Sequence, residues 1–303
     1  MPMAWFIVRC GITAGLLALL VWQLGPHSIF ERLRTLTLGP LVLVALMLAV
    51  QLLLSAWRWK ALVDYFGPVE VSTADVCWFL GASHFYGEVL PSTIGGDVVR
   101  TAMLSRLTGL GPATLSVILD RITGLAMLLV IMIALLPLLW WRIEQGSAVV
   151  GLALFSIGGA AALGALLLLR RQAIPSWLPG AAALIPELAT ALRQALFNPV
   201  LRPQVVGYGL LVQLLSVALF FVLARALGVL LSFFDCLLLV PPALLLSALP
   251  VSLSGWGVRE GALAGGFALV GAPPADIVAA SILYGLTSPA IGVVYAGLSL
   301  LRR

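Results

Sequence analysis

Charged side chains are scarce along this chain of 303 residues. Asp, Glu, Lys and Arg together make up 10% of it, against about 25% in a soluble globular domain. With 62% hydrophobic residues and a mean hydropathy of +1.13, a soluble fold is excluded and an integral membrane protein is indicated. Lysine is nearly absent: Lys60 is the only one among seventeen basic residues. The net charge of +5 can simply anchor helices on the cytoplasmic side, or the arginines can offer planar, permanently charged forks to phosphate groups. The three cysteines, Cys10, Cys77 and Cys236, show neither CxxC nor Cys/His spacing, so no disulfide framework or zinc site is expected. The chain also lacks a Walker loop, HExxH, a His-rich cluster and GxSxG, and has no polar segment long enough for a soluble catalytic domain. No cofactor and no metal are therefore expected.

Long apolar runs take the place of charge. Crossing roughly 30 Å of hydrocarbon requires about 20 apolar residues. Residues 5–24, 38–57, 114–139, 148–169, 204–227 and 274–301 meet that requirement. The first carries a single charge, Arg9, and no small-residue cleavage site follows it, so it reads as a retained span rather than a signal peptide. Two further runs, 75–90 and 233–249, are followed by short helical pieces near 97–108 and 257–270. They are too short and too interrupted for ordinary spans.

Both short runs end in the same motif. Leu90–Arg100 reads LPSTIGGDVVR and Leu249–Arg259, 159 positions later, reads LPVSLSGWGVR. Pro and Gly free backbone groups that the bilayer interior cannot satisfy, so such a motif survives there only against protein or a wet cavity. Other matches keep nearly the same offset: VQLL at Val50 and Val212, and Ser72/Asp75 with Ser232/Asp235. One membrane domain built of two related halves, about 1–145 and 146–303, is the expectation, joined by an interfacial amphipathic linker at about 170–203. If each short pair is a re-entrant hairpin, each half crosses three times and the second half is inverted. The expected fold is thus an all-α polytopic membrane protein with about six full spans and two broken hairpins, its site near the midplane. Ten basic residues against five favour cytoplasmic N- and C-termini.

The polar groups of the motifs are the candidate site. Asp97 and Arg100 are three apart, on one face of a helix that starts after Gly95 and Gly96. Such a helix start can aim N–H groups at an anion. In the second copy Gly255 and Gly257 flank Trp256, and the acid, Glu260, follows Arg259 instead of preceding the arginine. Pro91 and Pro250 complete the hairpin backbone. Asp120 and Arg121, in the third span, point about 100° apart, and Asp120 is the natural partner of Arg100. His84 and Glu88 can form a proton relay, or His84 can be a satisfied histidine beside the hairpin. Gln51 and Gln213, equivalent in the VQLL repeats, are expected to bond between helices.

LPSTIGGDVVR, SVILDRITGL at 116–125 and LPVSLSGWGVREGA at 249–262, in that order, resemble the transmembrane, flippase-like domain of the bacterial lysylphosphatidylglycerol synthases, over essentially the whole chain. The aminoacyl transferase domain that follows in the large synthases is not present before Arg303, so the resemblance does not imply synthase activity. It implies movement of a polar-headed lipid between leaflets of the bacterial cytoplasmic membrane. Carried over by motif position, it makes Asp97, Arg100, Asp120, Arg121, Arg259 and Glu260 the functional polar residues. Where that pattern often has Glu before the arginine, this chain has Asp120, one methylene shorter. The expected partners are membrane lipids bearing phosphate and, on an alternative reading as a non-transporting accessory protein, a lipid-modifying enzyme. Nucleic acid is not among them.

Overall fold

A computed structural model describes residues 36–89, 95–144, 146–169, 179–249 and 252–301, together with 11, 13, 15 and 18. The described residues are helical with short connections and contain no strand. The helices are α1 Leu38–Phe66, α2 Thr73–Val89, α3 Gly95–Thr108, α4 Leu110–Arg142, α5 Gly146–Leu168, α6 Pro179–Phe197, α7 Tyr208–Ala226, α8 Phe233–Ser247, α9 Val258–Ala268, α10 Pro274–Gly285 and α11 Thr287–Leu301. A short π-helical turn, Pro203–Gly207, leads into α7. Five helical segments are long and apolar enough to span: α1, α4, α5, α7 with its preceding turn, and α10 with α11. They correspond to five of the six spans expected from the sequence, and the stretch 5–24 lies outside the described residues apart from single positions.

The two short pairs are hairpins, α2 against α3 and α8 against α9. Each is entered through the same cap. Ser72 Oγ accepts from the Asp75 backbone N–H at 3.1 Å and donates to Asp75 Oδ2 at 2.7 Å. Ser232 repeats this with Asp235 at 3.0 and 2.7 Å. The matched Ser and Asp of the sequence are thus matched N-caps, which satisfy orphan donors at a helix start.

The hairpins open at opposite ends of α4. The first joins α4 through Gly109 alone, where α3 ends at Thr108. The second is held at its base by Arg142, the last residue of α4, whose Nε and Nη2 donate to the two Asp235 carboxylate oxygens at 2.7 and 3.2 Å. At about 1.5 Å per residue α4 is roughly 50 Å long, so the two hairpins approach each other tip to tip.

Close backbone contact makes the first tip possible. A Cβ on Gly96 would lie 2.2 Å from the carbonyl oxygen of Ser83 in α2. That neighbour is backbone and cannot swing aside. Gly96→Ala is therefore expected to cost about 1–3 kcal/mol or more by overpacking, read as a lower melting temperature in detergent. Gly111→Ala, with no atom within 4 Å of the new Cβ, should leave it unchanged.

Interhelical amides tie the spans together as the VQLL repeats suggest. Gln51 of α1 donates to Ser216 Oγ of α7 at 2.6 Å, and Gln213 of α7 donates to the Gly124 carbonyl of α4 at 2.9 Å. The linker helix α6 is seated on protein instead of lying free on a membrane surface. Its buried Ala191, Leu192, Ala195 and Leu196 share a core with Leu62 of α1 and Leu119 and Met127 of α4. Arg193 Nη1 donates to the Leu167 carbonyl at 2.5 Å, covering an orphan carbonyl at the end of α5.

Candidate functional site

Five charged side chains from α1, α3 and α4 form one continuous chain, Arg58–Asp120–Arg100–Asp97–Arg121. Arg58 Nε donates to Asp120 Oδ1 at 2.9 Å, and Arg100 Nη1 donates to Asp120 Oδ2 at 2.9 Å. Arg100 reaches Asp97 Oδ1 through Nε at 3.1 Å and Nη2 at 3.0 Å. Arg121 Nε closes the row on Asp97 Oδ2 at 2.7 Å. Arg58, Arg100 and Asp120 are buried, whereas the Arg121 side chain is 46% exposed. Both expected pairings of Arg100, with Asp97 and with Asp120, are present. Arg121 pairs with Asp97 and not with its sequence neighbour.

Arg58, one of the ten basic residues counted on the cytoplasmic side, is drawn into the bundle as a member of the ion row. It is 8% exposed, and its guanidinium packs against Gly124, where a Cβ would sit 3.2 Å from Nη1. The pattern around Arg58 looks like a charge at a span end because that is what it is in one dimension. Only the fold brings Asp120 to it.

The second motif makes a smaller pair. Arg259 donates to Glu260 Oε1 from Nη2 at 2.6 Å, and Ser281 Oγ donates to the same oxygen at 3.0 Å. The other carboxylate oxygen accepts from the Gly257 backbone N–H at 2.7 Å, so Glu260 caps α9 from inside and is fully buried. This turn needs glycine: Gly255 and Gly257 have φ of +77° and +83°, and Ser254 between α8 and α9 is held at +48°. Arg259 lies 4.8 Å from the Trp256 ring centre and 5.7 Å from that of Tyr284, within cation–π range.

The two tips face a common cavity of about 220 Å³. Ser83, His84 and Gly87 line it from α2, Gly96 and Asp97 from α3, and Arg121 from α4. Across from them stand Ser254, Trp256, Arg259, Gly285 and Ser288. The cavity thus unites Asp97, Arg121 and Arg259 of the expected site, with Arg100, Asp120 and Glu260 bonded behind the lining residues. Gly95 and Gly96 form the first tip. His84 contributes through a 3.0 Å contact between its Nδ1 and Ser288 Oγ. Pro91 and Pro250 lie outside the described residues, and so does the side chain of Glu88. Arg58, Trp256, Ser281 and Ser288 have no signal in the sequence beyond their neighbourhood to a motif.

The apolar stretch of α1 runs 38–57 and ends at Arg58, while that of α4 begins after Arg121 and runs 122–141. Each is about 20 residues, or roughly 30 Å. The ion row thus follows the apolar stretch of α1 and precedes that of α4, with Trp140 and Trp141 exposed at the far end of α4. The second hairpin enters from that far side, and the fifteen residues of α8 carry its tip about 22 Å inward. The two tips meet at the shared cavity.

Among the described residues no three His, Cys, Asp or Glu side chains converge to hold a metal ion. What the arrangement defines is a polytopic helical membrane protein whose opposed hairpins close an arginine-rich cavity. Residues 6–296 match the family described as Lysylphosphatidylglycerol synthase TM region, and the chain belongs to that family. No curated protein matches the chain.

Proposed function

We propose that this protein moves a phosphate-bearing lipid between leaflets of the bacterial cytoplasmic membrane, as a flippase or scramblase built from two inverted halves in a single membrane domain. The observation that carries this reading is the cavity shared by both hairpin tips. Among the described residues, Asp97, Arg121 and Arg259 line it, and with their partners Arg58, Arg100, Asp120 and Glu260 they make four arginines against three acids, a net +1. An anionic head group completes the charge balance, and an arginine fork fits a phosphate oxygen pair. The asymmetry of basic residues supports cytoplasmic termini, with the ion row toward the same side.

Transport fits the site better than chemistry on the lipid. A general base needs an available carboxylate, whereas Asp97 is held by two arginines, and Glu260 by Arg259, Ser281 and a backbone N–H.

The test is leaflet exchange of fluorescent anionic, zwitterionic and cationic lipids in proteoliposomes, followed by quencher accessibility. Arg121→Ala and Arg259→Ala are each expected to slow exchange of the anionic lipid about tenfold, the lower end for losing a charge-assisted bond. Wild-type rates in both variants would remove the arginines from the mechanism. No exchange above empty vesicles from folded protein would favour an accessory role beside a lipid-modifying enzyme.

A further inference from the structure

We infer that the cavity is loaded sideways from the leaflet on the first hairpin's side, through a mouth between Arg121 and Ser254 that receives the anionic phosphate of a membrane lipid. This rests on the transport reading above and names the state of the protein and its point of entry.

Exposure of the lining residues locates the mouth. Arg100 and Arg259 are buried, and the Asp97 side chain is 15% exposed, but Arg121 is nearly half exposed and Ser254 is exposed as well. The cavity therefore reaches the surface between the first third of α4 and the tip of the second hairpin. The opposite direction is filled. Leu263 and Phe267 of α9 run from Arg259 toward the base of that hairpin and are packed with Leu239, Ile277 and Phe220, all buried. Phe220 and Phe267 stack at 5.5 Å.

Exposed apolar side chains neighbour the lining residues in the chain, which favours a lipid over a soluble phosphate as the occupant. Val98 follows Asp97, Ile118 is one turn before Arg121, Leu286 follows Gly285, and Leu249 precedes the tip that carries Ser254; all four are exposed. A water-soluble anion gains nothing from such side chains. A phospholipid meets them with its glycerol and acyl chains while its phosphate contacts arginine. Arg121 also directly precedes the apolar stretch 122–141 of α4, as expected of a residue that meets head groups at the end of a span. Arg121, already joined to Asp97, is the first cation that such a head group meets.

The experiment uses the full chain in nanodiscs, with a benzophenone attached at Ile118→Cys in a background lacking the three native cysteines. Val150→Cys, on the exposed face of α5, serves as the reference position. Nanodiscs contain either phosphatidylglycerol in phosphatidylcholine or phosphatidylcholine alone. The expected result is preferential adduct formation with phosphatidylglycerol at Ile118 but not at Val150. Arg121→Gln should lower that preference about tenfold, as loss of one charge-assisted partner implies.

Equal labelling by both lipids at Ile118, or a preference untouched by Arg121→Gln, overturns the entry site. Loss of the adduct on adding millimolar glycerol 3-phosphate assigns the site to a soluble phosphate and overturns the lipid source. An Arg121-dependent adduct from a protein that exchanges no lipid would uphold the entry site while defeating the transport reading, so the two failures are distinct.

Discussion

Replacing Asp120 with alanine is expected to be the most destabilising single change at the site, costing about 3–5 kcal/mol, the range for removing one partner of a buried ion pair. Among the described residues, Asp120 is the one acid joining Arg58 to Arg100, with a 2.9 Å bond to each. Its loss leaves Arg58 without that partner inside the bundle and leaves Arg100 to Asp97 alone. Arg58→Ala should be milder, because Asp120 keeps Arg100. The effect should also be local to one end. Cys77 lies in the first hairpin and Cys236 is buried near the base of the second. In a Cys10→Ser background, thiol labelling should therefore accelerate at Cys77 at temperatures where Cys236 remains protected. Equal acceleration at both thiols would show that the ion row stabilises the whole bundle, and no change at either would show that its charges find water when the partner is removed.

Gly285→Ala should abolish most transport while leaving the fold intact. A Cβ there would lie 2.1 Å from Arg259 Nη2 and 2.7 Å from Cη2 of Trp256. Both neighbours are side chains that can move, so the helix survives, and alanine in place of glycine even favours it by roughly 1 kcal/mol. What is lost is the position of the guanidinium over the cavity. Exchange of anionic lipid should fall about tenfold, as for Arg259→Ala, because one charge-assisted contact is displaced, while the melting temperature falls less than in Asp120→Ala, since the shifted guanidinium weakens but need not lose its bond to buried Glu260. Gly164→Ala on α5, with open space around its Cβ, is the control that should leave exchange unaltered. Normal exchange in Gly285→Ala would mean that Arg259 works from another rotamer and that its observed place is not the functional one.

Much of the fold was legible because membranes restrict what a chain can do. Length and apolar composition marked the spans, and the interrupted runs marked the hairpins, since Pro and Gly at such depth demand protein around them. The repeated Ser and Asp were legible as a pair because a helix cap is a local device, closed within three residues. Asp97 and Arg100 were legible for the same reason, being one helical turn apart. Arg58 was not. Its partner is 62 positions away, and an arginine after twenty apolar residues reads as an anchor until packing turns it inward. The linker helix α6 showed its apolar face in the sequence, but whether lipid or protein covers that face depends on where α1, α4 and α5 stand.

The sequence alone thus determined the helical membrane class, the hairpins and the residue types able to hold an anion, because each of these follows from periodicity, length and composition over a few turns. Tertiary structure decided which charges neutralise one another, and that Arg121 and Arg259 face the cavity while Arg100 stands behind it. Those are relations between helices far apart in the chain. They are set by how side chains pack and by the cost of leaving a buried charge without a partner.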